Sequence, residues 1–115
     1  MLTIEIPVKT TSEVNVREHW AVKRRRRISQ QQEVNAEWKA AIKRKKIHLP
    51  CVVTFTRIAP KLLDDDNLRS AFKGIRDEVA RLLGVDDGST LVRFDYLQTP
   101  IGKREYRIKI EVRGQ

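Results

Sequence analysis

Residues 106–113 read Tyr-Arg-Ile-Lys-Ile-Glu-Val-Arg, a strict alternation of apolar and charged side chains. Only an extended chain with a period of two keeps Tyr106, Ile108, Ile110 and Val112 on one side and the charges on the other. A strand with one wet face needs a sheet covered on its other face. The rest of the chain must therefore supply further strands and something apolar to lie on them.

Residues 67–83 supply the cover. Leu68, Ala71, Phe72, Ile75, Val79, Leu82 and Leu83 recur at helical spacing and form one apolar stripe. Asp66 is the expected N-cap and Gly84 the expected stop. Gly74, inside this helix, costs stability and points to close packing there. A second helix is expected over residues 30–44, with Val34, Trp38, Ala41 and Ile42 on one face and Ser29 as a cap.

Leu2, Ile4 and Ile6 alternate with polar residues as a short strand, and the Val-, Thr- and Phe-rich residues 50–58 make another. Val92, Phe94 and Tyr96 begin a strand that a hairpin loop at 99–103 joins to the last one. Residues 8–29 show no period and read as a loop or arm. Residues 59–66 are a loop and residues 86–88 a turn. The order is β-α-β-α-β-β. The expected fold is α/β of the α+β kind, a small mixed sheet with two helices packed on one face. At 115 residues the chain is one domain, 1–115.

Charge is unevenly distributed. The formal net charge is +9, and residues 17–46 hold eleven Lys or Arg against three Glu. Arg17, the run Lys23, Arg24, Arg25, Arg26 and Arg27, and the patch Lys43, Arg44, Lys45 and Lys46 suit a polyanion such as nucleic acid. The alternative is a solvated basic face. An anionic membrane surface fits poorly, because the basic segment lacks an apolar face. No long apolar stretch or signal-peptide pattern occurs, so no membrane span and a cytoplasmic location are expected. Cys51 is the single cysteine and reads as a small buried hydrophobe.

Against this basic background stand Asp64-Asp65-Asp66-Asn67 and, further on, Asp86-Asp87. In an extended segment Asp64 and Asp66 point the same way and can share a hard cation, which takes carboxylates, waters and substrate phosphates as ligands. Such an ion activates water and neutralises the attacked phosphate. Asp86 or Asp87 would complete the set only if the chain brings them back. A helix of seventeen residues spans roughly 25 Å, too far for the turn alone to close. The competing reading gives Asp66 to capping and 86–88 to a turn. Lys73 is placed to stabilise developing negative charge, or to pair with Asp77 four residues on. Trp20 suits a stacked base, the core or a dimer interface.

The segment from Leu63-Asp64-Asp65-Asp66-Asn67-Leu68 through Lys73 and Asp77 to Leu83-Gly84-Val85-Asp86-Asp87 resembles the RusA family of Holliday-junction resolving endodeoxyribonucleases. That family has an Asp-x-Asp-Asn motif, a helix bearing a lysine and an aspartate, and an Asp-Asp pair after glycine. The resemblance implies a RusA-like, metal-dependent endonuclease. Asp64, Asp66 and Asp87, assisted by Asp86, would bind magnesium (Mg2+), with manganese (Mn2+) as the substitute, and converge within a subunit. It also implies a homodimer that cuts branched, four-way DNA junctions. Two departures stand out. Ser70 occupies the place of the usual lysine, leaving Lys73 one turn further for its role, and residues 8–20 differ from the family's proline- and asparagine-rich loop. A non-catalytic nucleic-acid binder and a nuclease for other branched DNA remain the alternatives.

Overall fold

The computed structural model describes residues 1–10, 19–43, 45–86 and 88–114, so Arg17, Arg44 and Asp87 lie outside the described residues. Seven elements follow in order: β1 (Leu2–Ile6), α1 (Trp20–Ile42), β2 (Cys51–Ala59), α2 (Asp65–Ala71), α3 (Lys73–Leu83), β3 (Val92–Pro100) and β4 (Arg107–Gly114). The strands form one mixed sheet ordered β1-β4-β2-β3. β2 runs parallel to β3, and β4 runs antiparallel to both β1 and β2. The α+β expectation therefore holds.

The alternation of β4 does what its period requires. Ile108, Ile110 and Val112 are buried, in register with Ile6, Ile4 and Leu2 of β1. They join Val53 and Phe55 of β2 and the helical residues Val34, Trp38, Leu68, Phe72, Ile75 and Val79 in one core. Cys51 belongs to that core, and burial pushes its thiol up from the ordinary value, so it is not poised as a nucleophile. The opposite face of the sheet carries charges paired along single strands, including Arg93–Asp95 of β3 at 3.1 Å and Lys109–Glu111 of β4 at 3.5 Å.

Four expectations change. The basic run is not on a loop, because α1 begins at Trp20 and contains it. Lys and Arg are good helix formers, but α1 packs on α3 through polar groups, so no apolar period reveals its first half. Arg27, Gln31 and Asn35 sit one turn apart on that seam. The Arg27 stem lies over Gly74, Gln31 donates to the Gly74 carbonyl at 3.1 Å, and Asn35 donates to Glu78 at 3.0 Å.

The helix expected over 67–83 is two helices, broken at Phe72 (φ −96°, ψ 1°). Its fully buried ring stacks on Phe55 at 5.2 Å. The N-cap is Asp64, not Asp66, while Gly84 closes α3 in the left-handed region as expected. Finally, β3 and β4 are not a hairpin pair, since β2 lies between them. Alternation reports which face of a strand is wet, not which strand lies beside it.

Two predictions follow from the α1–α3 seam. A Cβ at Gly74 would lie 2.6 Å from Arg27 Cγ. Gly74→Ala is expected to destabilise the native background, and to stabilise an Arg27→Ala background by up to about 1 kcal/mol through helix propensity. Chemical denaturation of the four proteins checks the reversal of sign. Glu78 is buried and held below its ordinary value, first by the Arg81 hydrogen bond and then by Asn35, against the opposing effect of burial. Its stabilisation is complete above the ordinary value of 4.5 and vanishes as pH falls through the lower folded value. Glu78→Gln should cost about 1–2 kcal/mol at pH 7 and converge with the parent protein in acid, measured by denaturation across pH.

Candidate active site

The acidic motif is held at the end of β2 by β3. The Gln98 amide accepts from the Leu63 N–H at 2.8 Å and donates to the Leu63 carbonyl at 2.8 Å. One side chain thus satisfies both backbone groups of the residue preceding Asp64. Arg57, buried at the same end, donates from Nε to Thr10 Oγ1 at 2.9 Å and from Nη1 to the Lys61 carbonyl at 2.6 Å. Burial pushes this guanidinium down from its ordinary value, and Tyr106 opposes that shift. Its two acceptors tie the segment that follows β1 and the loop that follows β2 to β2. Neither Gln98 nor Arg57 stands out in the sequence, because an isolated polar residue in a strand carries no period.

Asp64 Oδ1 accepts from the Asn67 N–H at 2.9 Å as the α2 N-cap. That bond uses one carboxylate oxygen and leaves the other. Asp65 and Asp66 occupy the first helical turn, all three aspartates are exposed, and Asp65 pairs with Arg69 at 3.4 Å. Because the helix starts at Asp65, the extended alternation expected for 64–66 is not formed. A pair of carboxylates in one exposed turn remains, and its donor type suits magnesium.

Asp86 is elsewhere. Contacts of the α2–α3 segment descend β3 step by step. Leu63 meets Gln98, Arg69 lies 5.0 Å over the Tyr96 ring, and Arg76 lies 4.7 Å over the Phe94 ring. Beyond α3, Asp86 sits in the connection to Val92, whose neighbour Leu91 accepts from the Cys51 N–H at the start of β2. Asp64 and Asp86 therefore occupy opposite ends of β2 and β3, each nine residues long, a span of roughly 27 Å. Within the protomer, Asp86 does not meet Asp64 and Asp66. Among the described residues no three His, Cys, Asp or Glu side chains come together around a metal position.

The basic residues divide the same way. α1 runs alongside α3 in the same direction, from Arg27 beside Gly74 to Asn35 beside Glu78. Its first turns, with exposed Arg24 and Arg25, thus run toward the Asp64 end, whereas Lys73, exposed at the start of α3, lies near the middle of the strands. Arg27 is a packing residue as well as a charge, and Arg26 lines a hollow with Val8 and Gln30. Lys43, Lys45 and Lys46 follow α1 toward the other end and are exposed. There Lys45, Lys46, His48 and Arg113 line a cavity of about 490 Å³.

The cap separates folding from chemistry at Asp64. Asp64→Ala should lower stability by about 1 kcal/mol, whereas Asp64→Asn, an equally good cap, should leave it within a few tenths. Thermal or urea denaturation of the two variants checks this. The Asn variant is then the one in which a lost activity reports the carboxylate.

No family model matches the chain, and neither curated proteins nor solved structures give a match.

Proposed function

We propose that this chain is a magnesium-dependent endodeoxyribonuclease acting on branched DNA, four-way junctions included. The observation that carries the reading is the shared end of the fold. The Asp64 and Asp66 carboxylates stand exposed at the end of the fold toward which the basic first turns of α1 run, with Lys73 further along at the start of α3. A phosphate backbone gripped by the arginines meets the carboxylates only through a cation, which removes their repulsion and supplies the charge that activates water. Lys73, exposed at the start of α3, adds positive charge along the same bound backbone.

The opposite placement of Asp86 gives the homodimer a catalytic purpose. A two-fold axis that sets equivalent edge strands antiparallel brings the Asp64 end of one protomer to the Asp86 end of the other, twice. Each metal set is then shared between protomers, and two equivalent sites suit paired cuts in a symmetric junction. The second reading, a basic nucleic-acid binder without catalysis, is favoured by the use of Asp64 as a cap.

Cleavage of a labelled four-way junction with magnesium or with chelator separates the two. Magnesium-dependent nicking, lost by at least about a hundredfold in Asp64→Asn and Asp66→Asn with binding retained, is the expected result. Binding without nicking under either condition leaves the binder. Shared sites have their own signature. An inactive Asp64→Asn/Asp66→Asn protein mixed with an inactive Asp86→Asn/Asp87→Asn protein should regain nicking after subunit exchange, whereas sites closed within one protomer regain none.

A further inference from the structure

Trp20 opens α1 with 66% of its surface exposed, while the other tryptophan, Trp38, is buried at 3%. A large aromatic residue is seldom left this bare on a helix whose buried side is available two turns later. Its surroundings are basic. Residues 19–32 contain five Lys or Arg and no acidic residue. Arg24 lies one turn beyond Trp20 on the same helical side and is exposed, and Arg25 donates to the Ala21 carbonyl at 3.4 Å.

His19 precedes the indole and fixes the start of the helix. Its Nδ1 accepts from the Ala21 N–H at 3.2 Å, which puts any ring proton on Nε2, and its ring lies 5.5 Å from the Trp20 ring. The result is an indole beside an imidazole, on a helix start that also favours negative charge. This group sits at the same end of the fold as the Asp64 motif.

We infer that Trp20 is a stacking platform for an unpaired base, with Arg24 holding the adjoining phosphate. The inference rests on the nucleic-acid reading above and deepens it by naming single-stranded or unpaired nucleotides as what this surface takes. A paired base presents only its edge to a side chain in a groove, whereas an unpaired one offers its face. The exposed Arg24 and Arg25 supply affinity for any strand, and the indole supplies the preference for an open one.

Binding in chelator, where no cleavage occurs, tests this independently of catalysis. The probes are a short oligothymidylate single strand and a blunt duplex of equal length. In the parent protein the single strand should quench the iodide-accessible part of the tryptophan emission. Trp20→Phe, which retains only Trp38, should show no such quenching and nearly full affinity. Trp20→Ala should weaken the single strand roughly tenfold or more while changing the duplex less than about twofold. Arg24→Ala should weaken both probes and lower the salt slope by about one.

Equal losses for both probes in Trp20→Ala, or no loss for either, overturn the inference. So does sedimentation showing that Trp20→Ala dissociates a dimer, because Trp20 then belongs to an interface between copies. Catalysis can fail with these results intact, and these results can fail with catalysis intact.

Discussion

Phe55, fully buried in the middle of β2, touches three other aromatic rings: Phe72 at 5.2 Å, Tyr96 at 5.7 Å and Phe94 at 5.8 Å. These contacts join the central strand, the edge strand parallel to it and the break between α2 and α3. Aromatic pairs add about 0.5–1.5 kcal/mol each beyond the area they bury. Their direction matters as much as their energy. With Phe72 fixed at the middle of the sheet, the chain before it must lie at one end of the strands and the chain after it at the other. The distance between the two acidic segments is a consequence of that anchor.

The same geometry distributes the charge. α1 follows α3 in parallel because Arg27, Gln31 and Asn35 meet Gly74 and Glu78 in order. The basic first turns therefore run toward the Asp64 end, and the later lysines accompany the Asp86 end. A polar seam of this kind is specific in register. Each amide has one partner, and Gly74 is the position at which the Arg27 stem comes close. The placement of basic charge toward the Asp64 end thus depends on packing well away from the carboxylates.

Much of the architecture was legible in the sequence. The alternation of residues 106–113 and the stripe from Leu68 to Leu83 give β4 and the covering helices, because both burial patterns have a simple period. α1 was legible only in its second half, where Val34 and Trp38 enter the core. Its first half packs through arginine stems and an amide, which no hydropathy pattern reveals. The candidate residues Asp64, Asp66 and Lys73 were visible as residue types. The cap on Asp64 was not, because it depends on the helix beginning two residues before the position that the pattern suggests.

The amino-acid sequence alone determines the α+β class, the one-faced sheet and the basic imbalance, since periodicity and charge are properties of the chain itself. Which strand lies beside which, and which aspartates share an end of the fold, were decided by tertiary structure. Those relations come from pairing β4 between β1 and β2 and from seating Phe72 on Phe55. Both are contacts between residues far apart along the chain, and no local pattern encodes them.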